Sequence, residues 1–226
     1  MRLLLALLLS SLASLAHADE EAMDRFKYLM GDALRREQAY AAGQERALFC
    51  SFCHGETGNS KRPHIPNLAA QNPVYLFDSF EKFANGERSD YVMSNLAKSL
   101  TLEDRVNIAV YFSQQNVLAP EPPKNSALSE EGRVIYQRTC ATCHGDHAQG
   151  RETMPRLAGQ PLNYLHKALT RFRNNDSSRT GSVMIGIASK LSDTEIDAVV
   201  AYLSQLALTA QQEQRASAQL VGAAIR

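Results

Sequence analysis

The chain has 226 residues, with 24 basic and 24 acidic side chains, so its formal net charge is zero. Nothing in the chain resembles the strong basic patch with which nucleic-acid binders neutralise phosphates. The length allows one or two domains once any targeting segment is removed.

The N-terminus carries the first signal. Met1-Arg2 is followed by an apolar run, Leu3 to Ala16, and by Ala16-His17-Ala18 before the acidic Asp19-Glu20-Glu21. This pattern predicts a cleavable secretory signal peptide over residues 1–18 and export to a bacterial periplasm. The apolar run is about 14 residues, short of the ~20 that span a bilayer, so an uncleaved anchor is the lesser alternative. Residues 19–42 are expected to form a helical extension. Phe26, Leu29, Met30, Ala33 and Leu34 share one helical face there. That face is expected to pack on the domain that follows, the alternatives being a partner or a membrane surface.

Cys50-Ser51-Phe52-Cys53-His54 comes next, and Cys140-Ala141-Thr142-Cys143-His144 repeats it ninety residues later. Together the two motifs use all four cysteines of the chain. The pattern CxxCH is the attachment signature of c-type haem. Two thiols bond to the porphyrin vinyl groups, and the adjacent imidazole lies under the iron. The rival readings are a zinc half-site, a thioredoxin-like redox pair and a disulfide. Zinc ribbons set their cysteine pairs about 15–20 residues apart, whereas 86 residues separate Cys53 from Cys140. A redox pair has no need of the histidine.

The similarity of the halves extends beyond these motifs. Pro66, Gln71, Tyr75 and Phe83 match Pro155, Gln160, Tyr164 and Phe172 at offsets of 5, 9 and 17 from each proline. Met93, Ala97, Leu100, Asp104 and Tyr111 match Met184, Ala188, Leu191, Glu195 and Tyr202. Self-similarity of this extent predicts two copies of one small domain, over residues 43–117 and 127–208. A linker over 118–126 contains Pro120, Pro122 and Pro123, which cannot continue a helix and stiffen the connection. A tail over 209–226 closes the chain. Residues 19–123 carry 15 acidic and 11 basic groups, and residues 124–226 carry 9 and 12. Such a dipole would orient the molecule toward a partner, although a solvated surface is the commoner meaning of a charge imbalance.

The predicted elements are helical. Three- and four-residue apolar spacing follows Pro73, through Tyr75, Leu76, Phe80 and Phe83. Thr101 precedes a helix containing Val106, Ile108, Val110 and Phe112, with Asp104 completing a weak capping box. Ser129 is expected to cap a helix from Glu130 to about Thr139 that delivers the second motif. Ser192-Asp193-Thr194-Glu195 forms a capping box for the last helix. A proximal histidine leaves one axial position open. Met93 and Met184 occupy the same place in each repeat, 39 and 40 residues after His54 and His144. A thioether is a soft neutral ligand that favours ferrous iron. Core packing is the alternative for both, and Met154 is a rival in the second half. His64, His147 and His166 are unmatched between the repeats and are expected at the surface.

With these motifs the chain resembles the two-domain, di-haem bacterial cytochromes c of the c-four type, from about Gly43 to Leu206. The resemblance implies an all-α fold of two tandem class I cytochrome c domains. Each would be a small helical bundle around one covalently bound haem c. It implies a periplasmic carrier of single electrons in a respiratory chain, with redox-protein donors and acceptors and usually a terminal oxidase downstream. Axial ligands would be His54, Met93, His144 and Met184. The carbonyls of Pro66 and Pro155 would accept the Nδ1 protons of the two histidines. Alternatives are a di-haem enzyme, of peroxidase or thiosulfate-oxidising type, and a cytochrome subunit of a dehydrogenase or reductase. One departure is Ala70 where the second half has Gly159, a minor change unless the backbone there needs a positive φ.

Overall fold

A computed structural model describes residues 24–118 and 125–207. The predicted signal peptide, the prolines of the linker and the tail from 209 therefore lie outside the described residues. Among the described residues the regular elements are all helices, apart from one isolated bridge, Arg151 to Met154. Two hydrophobic clusters form, one from each repeat.

The first repeat contains a helical segment over residues 24–30 (α1), then α2 (Ala33–Arg46), α3 (Leu48–His54), α4 (Pro73–Asn85), α5 (Tyr91–Ser99) and α6 (Leu102–Ser113). The second contains α7 (Ser126–Thr139), α8 (Ala141–His144), α9 (Leu162–Arg173), α10 (Met184–Ala188) and α11 (Asp193–Gln205), with a 3₁₀ turn at Ser177–Arg179.

The N-terminal segment packs on the first domain. Phe26, Leu29 and Met30 are buried in its core, and Phe26 stacks on Phe77 of α4 at 6.5 Å between ring centroids. The expected face does not run on to Ala33 and Leu34, which are exposed. Asp32 takes extended φ/ψ, and its carboxylate accepts from Arg35 N–H at 2.9 Å, so a new helix starts there. That helix, α2, spans the expected boundary at 43.

In each repeat the first long helix crosses the last, α2 over α6 and α7 over α11. Tyrosines fill both crossings, with Tyr40–Tyr111 centroids 5.2 Å apart and Tyr136–Tyr202 centroids 5.6 Å apart. Both last helices carry complete capping boxes, Thr101 with Asp104 and Ser192 with Glu195. The shorter aspartate therefore closes the box after all. By contrast, α7 begins before the expected Ser129 cap. Asn125 is the N-cap, accepting from Leu128 N–H at 3.1 Å.

The repeats meet through paired polar contacts. Asn67 N–H donates to Gln160 Oε1, and Gln160 Nε2 donates back to Asn67 O, both at 2.8 Å. The counterpart contact has Arg156 N–H donating to Gln71 Oε1 at 2.6 Å and Gln71 Nε2 donating to Arg156 O at 3.0 Å. Farther along, Ser89 N–H donates to Ser178 O at 3.0 Å, and Thr180 Oγ1 donates to Glu87 O at 3.2 Å. The two glutamine contacts map onto each other when the repeats are exchanged, as about a twofold axis, and Ser89 and Thr180 stand at equivalent positions but donate from a backbone N–H and a hydroxyl respectively.

Candidate haem-binding sites

Cys50, Cys53 and His54 occupy consecutive turns of α3, and Cys140, Cys143 and His144 the junction of α7 and α8. Every cysteine is a free thiol. No cluster of three or more His, Cys, Asp or Glu that could hold a metal ion exists among the described residues. Burial pushes the Cys50 and Cys140 thiols up to about 11, so both are protonated at neutral pH.

Both histidines are buried. Nδ1–H of His54 donates to Pro66 O at 2.9 Å, and Nδ1–H of His144 donates to Pro155 O at 3.0 Å. Burial is the largest influence on each imidazole and lowers its pKa. The proline carbonyls oppose this, and the nearby cations Arg88 and Arg151 add to it. Each ring is thus a neutral imidazole with its proton on Nδ1 and its lone pair on Nε2. In His144 that Nε2 is buried without a hydrogen-bond partner. A buried lone pair with no donor opposite it fits an iron ligand, and the adjoining thiols fit haem attachment.

After each histidine the chain turns through positive-φ glycines, Gly55 at 81° and Gly145 at 82°. A tyrosine hydroxyl anchors each turn, but from different helices: Tyr111 of α6 donates to Glu56 O at 3.2 Å, and Tyr136 of α7 donates to Gly145 O at 2.5 Å.

Met93 lies in the first turn of α5, where Asp90 Oδ1 accepts from its N–H at 3.2 Å, and it packs against the first core. Met184 opens α10, with its N–H donating to Ser182 Oγ at 3.3 Å. Both are half-buried. Met154 instead belongs to the domain contact, its carbonyl accepting from Asn72 Nδ2 at 2.7 Å. His64 and His147 are exposed, and His166 pairs with Asp197 at the surface.

Two features were missed in the sequence. Arg156, 1% exposed, runs its guanidinium between the repeats, donating to Ala158 O and, at 2.7 Å, to Ala69 O. Its first-half counterpart is Asn67, whose different side chain hid the equivalence. Arg88 likewise reaches Tyr75 Oη at 3.3 Å, Ser79 Oγ at 3.1 Å and, across the boundary, Tyr164 Oη at 3.4 Å. Its counterpart Arg179 shares Tyr164.

The cytochrome c family profile matches residues 129–207, the second repeat. Paired helical crossings of this kind, each accompanied by a buried CxxCH histidine, make the molecule a c-type cytochrome of two class I domains. A cytochrome c4 of Pseudomonas aeruginosa is 34% identical over 216 residues, covering 91% of this chain and 98% of that one. The crystal structure of reduced recombinant cytochrome c4 from Pseudomonas stutzeri matches with a TM-score of 0.69 at 30% identity, over 74% of this chain and 98% of that one. The chain belongs to the cytochrome c4 family of electron carriers. A thiosulfate dehydrogenase electron acceptor of Thiomonas intermedia is 31% identical over 180 residues, covering 74% of this chain and 82% of that one.

Proposed function

We propose that the chain is a periplasmic carrier holding two covalently bound haem c groups, with no substrate chemistry of its own. The observation that carries this reading is the doubled arrangement of a buried imidazole, oriented by a proline carbonyl, beside two free thiols. Bound haem supplies a one-electron couple between ferric and ferrous iron.

The protein's part follows from its own groups. Cys50 with Cys53, and Cys140 with Cys143, tether the cofactors. His54 and His144 present Nε2 lone pairs, and the Pro66 and Pro155 carbonyls hold the rings in one orientation. Met93 and Met184 would supply the remaining iron ligands, thioethers that favour the ferrous state. The domains are assigned as in the sequence, with the first extended to include α1 and α2. Donors and acceptors are redox proteins, with a terminal oxidase as one acceptor and contact with a membrane surface as one setting.

Haem content per chain, measured with the carbon monoxide response of the reduced protein, tests this. Two haems and no carbon monoxide shift are expected. A clear shift would show an accessible iron and move a di-haem enzyme to first place.

A further inference from the structure

The paired domain contacts end on a particular chemical group. Pro66 C=O and Asn67 N–H are the two ends of one amide. The carbonyl end accepts the His54 Nδ1 proton at 2.9 Å, and the N–H end donates to Gln160 Oε1 at 2.8 Å. The Pro155–Arg156 amide is used the same way. Its carbonyl accepts from His144 at 3.0 Å, and its N–H donates to Gln71 Oε1 at 2.6 Å. Each axial histidine candidate is thus joined, through a single peptide group, to a glutamine of the other repeat. Both glutamines are buried at 3% exposure, where an amide bond is not diluted by water.

We propose that Gln71 and Gln160 are positioning residues that act across the domain boundary, each strengthening the hydrogen bond to the axial histidine of the opposite repeat. The inference rests on the two-haem reading above. An acceptor on an amide N–H draws charge toward the amide oxygen. The bond accepted by that oxygen becomes stronger, by ~10–30% in a chain of this kind. A stronger acceptor at Nδ1–H makes the ligating Nε2 more basic. A more basic imidazole favours ferric over ferrous iron. Gln160 therefore lowers the potential of the first haem, and Gln71 that of the second.

The test uses the full haem-loaded chain and its variants Gln160→Met and Gln71→Met, which keep volume and lose both hydrogen bonds. Haem is counted first. Each haem's reduction is then followed through the methyl resonance of its own ligand methionine, assigned with Met93→Ala and Met184→Ala. At the potential that half-reduces the first haem of the unaltered protein, Gln160→Met is expected to raise its reduced-to-oxidised ratio roughly two- to fivefold, with a smaller change at the second. Gln71→Met is expected to show the opposite pattern. The histidine Nδ1–H resonance should move in the same crossed order. If the methionine variants fail to fold, Gln160→Glu and Gln71→Glu retain the acceptor oxygen and add charge. They should lower the ratio, more at the opposite haem than at their own. With two haems bound, equal shifts, shifts in the substituted repeat or no shift would overturn the inference alone. Fewer than two haems per chain would overturn the two-haem reading and the inference with it.

Discussion

Gly43 of α2 sits against the backbone of Asn107 in α6 so closely that a Cβ at position 43 would lie 2.0 Å from the Asn107 carbonyl oxygen. Gly132 stands in the same relation to Ala198 O, at 1.9 Å. The obstructing atom is backbone in both crossings, so no side chain can rotate away. Gly43→Ala and Gly132→Ala are each expected to cost about 2–4 kcal/mol as the helices are forced apart. Urea unfolding checks this. Gly186→Ala, in α10 with nothing within 4 Å of the new methyl, is the control and should be neutral or slightly stabilising.

Ala70 adopts φ 46°, and its counterpart Gly159 adopts φ 66°. The substitution between the repeats is therefore not minor: the backbone needs a left-handed residue at both places. Ala70 N–H donates to Phe112 O at 3.0 Å and Gly159 N–H to Leu203 O at 2.9 Å, which holds the two loops in one conformation. Ala70→Gly is expected to be neutral to stabilising, by up to about 1 kcal/mol. Gly159→Ala, whose new methyl meets nothing closer than 3.6 Å, should destabilise by a similar ~1 kcal/mol from backbone strain alone. Thermal melts of both variants would show opposite signs.

Replacing one methionine should open one iron. Met93→Ala is expected to let carbon monoxide bind about half of the reduced haem and to lower the potential of that half, because a soft ligand that favours ferrous iron is gone. Met184→Ala should do the same to the other half. A variant with unaltered spectra would remove that residue from the ligand set.

Acid should weaken the first capping box. Burial pushes the Asp104 pKa up, but hydrogen bonds from Thr101 and the charge of Arg46 outweigh it, and the net shift is downward. A carboxylate depressed on folding contributes stability above its unfolded pKa of about 3.9, and loses it as pH falls through the lower folded value. Asp104→Asn is thus expected to cost about 0.5–1 kcal/mol at pH 7, the low end because water screens the group, and less at pH 2. Unfolding at the two pH values gives the difference.

The motifs were legible because their chemistry is local. Thiols and imidazole must share neighbouring turns, so the CxxCH histidines could be placed from spacing alone, as could the box at Ser192 and Glu195. Elements that depend on competition between neighbouring caps were less legible. Asn125 and Ser129 can both start a helix, and the earlier one does. Asp32 breaks an apolar face that looked continuous to Leu34. Least legible were relations between distant residues. Gly43 gave no sign that Asn107 lay against it. Gln71 and Gln160 were visible as a repeated letter, but each finds its partner in the other repeat.

The mirrored contacts also bear on ancestry. Reciprocal bonds, Asn67 with Gln160 and Arg156 with Gln71, are what two identical subunits would form in a symmetric dimer, where every contact occurs twice. Once such a pair is encoded as one polypeptide, the halves are free to drift separately. Position 67 holds a short amide and position 156 a long guanidinium, yet both still offer the same main-chain groups to the facing glutamine. The present molecule has the form of a fused homodimer in which a pair of glutamines still grips the facing main chain although the residues gripped are no longer alike.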